Sequence, residues 1–414
     1  MSLSAEIKRR ALAAGFELAG IAPIDASRDL EFARAWVERG YGGEMAYLKN
    51  PKRADPRLIL PSAKSVVCVG LVYNTPLPYS TETAESFDLR VLASAASRAW
   101  ISRYAWGHDY HPRIRSRLER LRAEIAGLAP GVETRVFVDT GPIVERAFAR
   151  LSGIGWLAKN TCLIDQEKGS WFFLGVILTS LDLEPDAPAF DRCGSCRRCL
   201  EACPTGALVE PYVMDASRCI SYFTIELKGS IPEEHRAAMG ANLFGCDICQ
   251  DVCPWNRSAE PSAGDLGAGI GNSGTPHRRE PPVTAVSDFL PITVKVHDDV
   301  AATEFNPQSA EPRTPNPEPR EFSLFNPRLE DLATVTEEDF HRLFRDSPIK
   351  RAKYGGWLRN LCVVMGNSGD RRFVPWLERM GRHGDAVVRE HAEWALRVLL
   401  RGQTEGSVEL RHEL

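Results

Sequence analysis

Eight of the eleven cysteines fall in a short central stretch, and their spacing limits what that stretch can become. The first run is Cys193-x2-Cys196-x2-Cys199-x3-Cys203-Pro204. A second, Cys246-x2-Cys249-x3-Cys253-Pro254, lacks a nearby first cysteine, but Cys219 lies upstream and can supply it through a long loop. Three cysteines at this spacing can wrap three irons of one cube, while the cysteine before proline ligates the other cluster. That exchange assigns Cys193, Cys196, Cys199 and Cys253 to one [4Fe–4S] cluster. Cys203, Cys219, Cys246 and Cys249 are left for the other, so both sites have four thiolates with no remainder.

The alternative is a pair of structural zinc sites, each with four cysteine ligands. Zinc ribbons pair two CxxC knuckles and have no need of the longer ferredoxin-type spacing. Cys68, Cys162 and Cys362 sit in mostly apolar runs and are expected to be small core residues. No stretch approaches the roughly 18 apolar residues of a membrane span. Met1 to Arg10 has neither an apolar core with a cleavage site nor a twin-arginine signal. A cytoplasmic location with no membrane partner is expected, where clustered cysteines point to metal or catalysis rather than disulfides. With a net charge of −4 and a pI near 6.2, any nucleic-acid surface must be a local patch.

The pattern along the chain is α+β. Residues 1–185 mix helical periodicity (Ser4–Ala14, Leu30–Arg39, Arg113–Leu128) with apolar runs that read as strands (Ser65–Tyr73, Thr134–Val138, Trp171–Thr179). This is an α/β domain large enough for a big cofactor. Residues 186–258 read as a ferredoxin-like domain stapled by its two clusters. Residues 259–322 form an irregular linker or insertion; ten prolines lie within 259–320. Within it, the apolar piece Phe289–Val296 is a candidate to dock. Residues 323–414 return to helical periodicity, with helices expected at Thr336–Phe344, Ile349–Met365, Arg371–Arg382 and Ala386–Leu400. Two stacked hairpins of this kind are similar to a short HEAT-type array.

Other segments then become recognisable. Tyr104-Ala-Trp-Gly-His-Asp-Tyr-His111, Val136-Phe-Val-Asp-Thr-Gly-Pro142 and Gly155-Trp-Leu-Ala-Lys-Asn-Thr161 precede the cysteines. Cys219-Ile-Ser-Tyr-Phe-Thr-Ile-Glu-Leu-Lys-Gly229 lies between their two halves, and Ser347-Pro-Ile-Lys-Arg-Ala-Lys353 and Gly366-Asn-Ser-Gly-Asp370 follow. In this order the set closely resembles the epoxyqueuosine reductases, cobalamin-dependent iron–sulfur enzymes of queuosine-tRNA synthesis. The resemblance covers nearly the whole chain except about 259–320.

The resemblance implies a cobalamin in a nitroreductase/reductive-dehalogenase-like N-terminal domain, and a tRNA anticodon loop carrying epoxyqueuosine as substrate. It places the proton donor at Asp139, where the residues alone suggest a turn ahead of a helix beginning at Pro142. To stay protonated at pH 7, that carboxyl would have to be desolvated against the corrin. Asp109, Tyr110 and His111 either line the same pocket or cap a helix start. Arg53, Ser102, Asn160, Ser221 and Asp247 are further candidates for the cobalamin. The D-x-H-x-x-G motif of histidine-ligated cobalamin is absent, since Ile114 stands where its glycine would be. Two departures from the family pattern are Ala158 in place of glycine and Val176 in place of glutamate. An electron donor such as a flavodoxin or ferredoxin is expected as a partner.

Arg342, Arg345, Lys350, Arg351, Lys353 and Arg359 form a local basic strip, opposed only by Asp346. A solvated helix face is one reading; the other is a phosphate-binding surface, with Tyr222 and Lys228 contributing. Two rival functions remain. A reductive dehalogenase would share the cofactors, but it is typically exported and lacks a helical tail. An electron carrier fused to an RNA-binding module would leave about 185 N-terminal residues without a role.

Overall fold

The computed structural model describes residues 1–85, 97–257, 282–296 and 320–401. Most of the expected linker lies outside these. The chain divides into two compact units, each discontinuous in sequence. The first comprises 1–81, 109–217 and 248–290, and the second 82–108, 218–247 and 291–414.

In the first unit, strands β1 (Leu18–Pro23), β2 (Ser65–Val72), β3 (Thr134–Phe137) and β4 (Phe172–Thr179) form a sheet in the order β1-β2-β4-β3. Every neighbouring pair is antiparallel. All eight residues of β2 are buried, because both faces of the sheet are covered and an unbroken apolar run has no polar side to present. One face is covered by helix α3 (Tyr110–Leu128), whose buried Ile114, Leu118, Leu121 and Ile125 recur at helical spacing. The other face packs Val66, Cys68, Val176 and Leu178 with Phe148 and Ala149 of helix α4 (Glu145–Leu151). Helices α1 (Leu3–Ala13) and α2 (Ser27–Glu38) complete the unit. Val176 is fully buried and paired with Cys68, so the family's glutamate would put a charge in the core here.

In the second unit, a short helix α5 (Ile220–Ile225) follows Cys219. Three longer segments, α6 (Lys353–Asn367), α7 (Val374–Met380) and α8 (Ala386–Arg401), make its helical core. The helix expected from Ile349 starts later. Pro348–Ala352 form a 3-10 turn capped by Ser347, and Lys353 takes a positive φ of 59° before the α-helix runs on to Asn367. The expected Arg371–Arg382 helix likewise opens as a 3-10 turn, Arg371–Phe373. The apolar piece Phe289–Val296 does dock. In the first unit Phe289 packs edge-on against Phe173 at 5.1 Å, and in the second Thr293–Val296 pairs with Arg320–Ser323. Among the described residues, no helix is long and apolar enough to cross a membrane.

Gly20 of β1 lies against the residue that ends α4: a Cβ there would lie 2.2 Å from the Ser152 carbonyl oxygen. Gly20→Ala is therefore expected to cost about 1–3 kcal/mol by overpacking, read as a lower thermal unfolding midpoint.

Candidate active site and metal centre

Beyond the last β3–β4 pair, Phe137 with Val176, the chain leaves the sheet and Asp139 takes a left-handed backbone, φ 55°. Pro142 does not begin a helix. The chain turns again and α4 starts at Glu145, whose carboxylate reaches back and accepts the Asp139 backbone N–H at 2.8 Å. That bond holds a conformation an L-residue rarely adopts. Burial pushes the Glu145 carboxyl up to about 8, with the neighbouring Asp139 adding to the shift.

The Asp139 side chain points outward and is 49 % exposed. The protein itself therefore does not supply the desolvation expected of it; what surrounds it is a set of hydrogen bonds. The Tyr110 hydroxyl donates to Oδ2 at 3.1 Å, and His111 Nε2 lies 3.4 Å from the same oxygen. Asp109 caps α3 by accepting the His111 backbone N–H, and its Oδ1 also meets His111 Nδ1 at 2.7 Å. The helix-cap reading holds, and the same carboxylate that caps the helix also aims the imidazole. Burial works against a charged His111, but hydrogen bonds to Asp109 and Asp139 outweigh it and raise the pKa to about 9. Tyr110 stacks on Phe173 at 4.1 Å and 8°, and Phe173 stacks on Tyr73, giving the site an aromatic floor. Arg53 is half-buried, donates to the Gly141 carbonyl at 3.2 Å, and has its pKa lowered by burial.

The cysteines of the first run lie on a loop and the short helix Arg198–Ala202. Cys193 and Cys253 pack against one apolar cluster with Trp156, Ala158 and Ile164. Burial pushes Cys199 up to about 11, and the adjacent Cys193 and Cys196 add to it. Burial raises Cys253 to about 12, with Cys193, Cys162 and Cys199 as charged neighbours. The four cysteines that the exchange rule assigns together are therefore neighbours. Among the described residues, no three His, Cys, Asp or Glu side chains are grouped to hold a single metal ion.

Two features of this region suit an anionic cluster. The Trp156 indole N–H is buried with no hydrogen-bond acceptor and faces the Cys193 sulfur. The Lys159 backbone N–H also faces that sulfur. Of the other set, Cys203 and Cys249 belong to the first unit and Cys219 and Cys246 to the second. Cys68 and Cys362 are core residues as expected, whereas Cys162 is only partly buried.

Comparison with known proteins decides the family. Residues 53–140 match a family model described as "Epoxyqueuosine reductase QueG, DUF1730", and residues 192–256 a "4Fe-4S double cluster binding domain". The epoxyqueuosine reductase of Xanthomonas campestris pv. campestris is 36 % identical over 95 % of both chains. A crystal structure of an epoxyqueuosine reductase with an epoxyqueuosine-modified tRNA-Tyr stem loop is 28 % identical, with a TM-score of 0.71 over 99 % of this chain and 95 % of the other. The Bacillus subtilis enzyme, with its catalytic aspartate loop swung out of the active site, is also 28 % identical, with a TM-score of 0.69 over 99 % and 95 %. The chain belongs to the epoxyqueuosine reductase family.

Within this epoxyqueuosine reductase, the remaining candidate residues divide by burial. Ser102 and Asp247 are buried against each other, Oγ to Oδ1 at 2.5 Å, and Asp247 also accepts from the Trp100 indole and the Arg103 backbone. They are engaged internally rather than turned to a ligand. Asn160 is likewise buried, donating to the Cys249 carbonyl and accepting the Cys162 N–H, so it shapes the cysteine loops. Ser221 is partly buried on α5 and Tyr222 is buried.

Arg359 must be removed from the basic strip. It is 1 % exposed and donates to the carbonyls of Phe223, Leu227 and Gly229. Arg342 is exposed but pairs with Asp339, and Arg351 pairs with Glu226 at 2.7 Å. Arg345, Lys350, Lys353 and Lys228 remain on the surface. The Lys228 pKa is lowered by burial, and the like charges of Lys353, Arg351 and Arg359 lower it further against Glu226.

Glu145 was not legible as a site residue, because an acid in the first turn of a helix is ordinary complement to the helix dipole.

The raised pKa values of His111 and Glu145 act in one direction. The His111 contribution to stability is complete below pH 6.5 and lost as pH rises through about 9. That of Glu145 is complete below 4.5 and lost through about 8. Urea midpoints should therefore fall between pH 6.5 and 9. Asp109→Asn and Glu145→Gln should each flatten that fall, and a slope unchanged in both would disprove the assignment.

Proposed function

We propose that the chain reduces epoxyqueuosine to queuosine at the wobble position of tRNA. In balance, the epoxide takes up two electrons and two protons, both C–O bonds break, an alkene forms and the oxygen leaves as water. The observation that carries this reading is a half-exposed carboxylate, Asp139, held in a fixed backbone with a proton-bearing imidazole 3.4 Å away.

Asp139 gives the proton to the epoxide oxygen as the C–O bond breaks. His111, which keeps its proton up to about pH 9, resupplies it. Asp109 fixes the imidazole so that Nε2, not Nδ1, faces Asp139. The imidazolium-to-carboxylate leg is uphill by itself, but the overall transfer is downhill, because the alkoxide developing on the substrate is a far stronger base than either side chain and draws the proton through Asp139. Glu145 keeps Asp139 at its position through the backbone N–H.

The residues present fit a flat cofactor over Asp139, with Arg53, Tyr110 and His111 around it and the stacked rings of Tyr110 and Phe173 below. Cobalamin bound there would supply reduced cobalt as the electron source for the epoxide, and two [4Fe–4S] clusters would deliver the electrons singly. Cys193, Cys196, Cys199 and Cys253 would hold one cluster and Cys203, Cys219, Cys246 and Cys249 the other. A flavodoxin or ferredoxin fits as donor in a cytoplasmic enzyme. On this reading 1–185 is the catalytic domain, 186–258 the cluster domain, and 323–414 a HEAT-like tRNA-binding domain.

Lys228, Lys350, Arg351 and Lys353, with Arg345 nearby in sequence, supply the phosphate-binding patch. Lys353 and Arg351 crowd Lys228, and an incoming phosphate relieves that repulsion. Lys350→Ala and Lys353→Ala should weaken stem-loop binding and each lower the slope of log affinity against log salt by about 1. Neither should change stability by more than about 0.5 kcal/mol. Arg359→Met should instead cost about 2–3 kcal/mol through its lost carbonyl bonds.

Deleting the gene and analysing tRNA nucleosides tests the function. Epoxyqueuosine should accumulate and disappear when the wild-type chain is restored. Asp139→Asn should leave it accumulated while retaining the iron and cobalamin of the wild type. Queuosine levels unaffected by the deletion would refute the function, and full turnover by Asp139→Asn would refute the acid.

A further inference from the structure

Lys159 lies in the turn that joins the short paired strands Trp156–Leu157 and Leu163–Ile164, and it is 9 % exposed. Its Nζ donates to the carbonyls of Gly194 at 2.6 Å and Cys196 at 2.9 Å. Among the described residues, no carboxylate lies within ion-pair distance of Nζ, and the ammonium has no further hydrogen bond or ion pair. A buried ammonium facing only neutral carbonyls is costly unless an anion completes its surroundings. The two carbonyls belong to the Cys193–Cys199 loop, so any anion held by these cysteines sits beside Nζ. Its own backbone N–H faces the Cys193 sulfur, next to the otherwise unpartnered Trp156 indole.

We propose that Lys159 is the charge partner of the cluster held by Cys193, Cys196, Cys199 and Cys253, and that its ammonium raises that cluster's reduction potential. The proposal rests on the cluster assignment above. A cube with four thiolate ligands is an anion and becomes a stronger one when it accepts an electron. A fixed positive charge therefore favours the reduced state more than the oxidised one, and net charge and hydrogen bonds to sulfur are recognised determinants of such potentials. Lys159 is a positioning and tuning residue rather than a catalytic one: it touches neither substrate nor reacting atoms.

The test uses the full chain, loaded anaerobically with iron and sulfide, in wild-type, Lys159→Gln and Lys159→Arg forms. Glutamine keeps a donor for the carbonyls and removes the charge, whereas arginine keeps the charge. Iron and sulfide are assayed, and the one-electron transitions are followed by redox titration with spin-resonance detection. In Lys159→Gln one transition should move down, so that the ratio of reduced to oxidised cluster at fixed potential falls about tenfold or more, about 59 mV for one electron. The other transition should stay in place, and Lys159→Arg should titrate as the wild type. If glutamine prevents loading while arginine permits it, the charge requirement is also upheld. Full loading with unmoved transitions in Lys159→Gln, or failure of both variants to load, overturns the proposal. Cys199→Ser probes the ligand assignment separately. If it retains all the iron, the assignment fails rather than the role of the lysine.

Discussion

The pairing of β3 with β4 stops at Phe137 opposite Val176, and the candidate site depends on that stop. A strand that continued would alternate its side chains and bury every second one. Instead the backbone turns left-handed at Asp139 and presents its carboxylate to solvent at the end of the sheet. This conformation carries a local cost of order 1 kcal/mol or more. Glu145 offsets it with one hydrogen bond from the first turn of α4, and α4 is itself anchored by Phe148 in the sheet's core. The sheet, the helix and the carboxylate therefore form one mechanical chain. The strain is local, the support is not, and that is how an exposed loop residue keeps a defined position.

The two chemistries of the first unit are set up by opposite electrostatic means. Around Asp139 the groups are partly open to water: Asp109 hydrogen-bonds to His111, whose Nε2 lies 3.4 Å from Asp139, and the imidazole holds its proton well above its ordinary range. Around Cys253 the groups are apolar and buried, so the thiols resist losing their protons unaided. Iron bound by these thiols would have to displace those protons, which would tie cluster loading to folding of this region. A buried lysine and an indole N–H at the same place would suit a site whose occupant is negative.

Much of this was legible in the sequence, for physical reasons that differ by element. The cysteine spacing speaks directly, because cubane ligation restricts it. The strands Ser65–Val72 and Phe172–Thr179 were legible because two-sided burial leaves continuous apolar runs. Asp139 was reached through family resemblance, since an aspartate before Thr-Gly-Pro otherwise reads as a turn. The hydrogen bond between Ser102 and Asp247 is not legible in the sequence, because it joins positions far apart in the chain and nothing local announces it. Lys159 went unnoticed because lysines in loops are ordinarily solvated. Arg359 was misassigned because a run of cations looks like a surface. In fact α6 is buried on nearly all sides from Trp357 to Gly366, and that segment has no solvated face to offer.

The burial of Arg359 also gives the second unit its internal logic. Its guanidinium gathers the carbonyls of Phe223, Leu227 and Gly229, while Asn360 beside it holds those of Thr224 and Leu243. These carbonyls belong to α5 and the residues just after it, and to the strand that precedes Cys246. The planar fork of arginine suits this work better than a lysine would, because it fixes several acceptors in one plane. One end of the clamped segment is Cys219, a proposed cluster ligand, and the other is Lys228, a member of the exposed cationic group. A cation withdrawn from the surface thus ties the segment that runs from Cys219 to Lys228 to helix α6. The basic strip is for this reason two things: an exposed set of cations, and a buried member that holds the segment after Cys219 against α6.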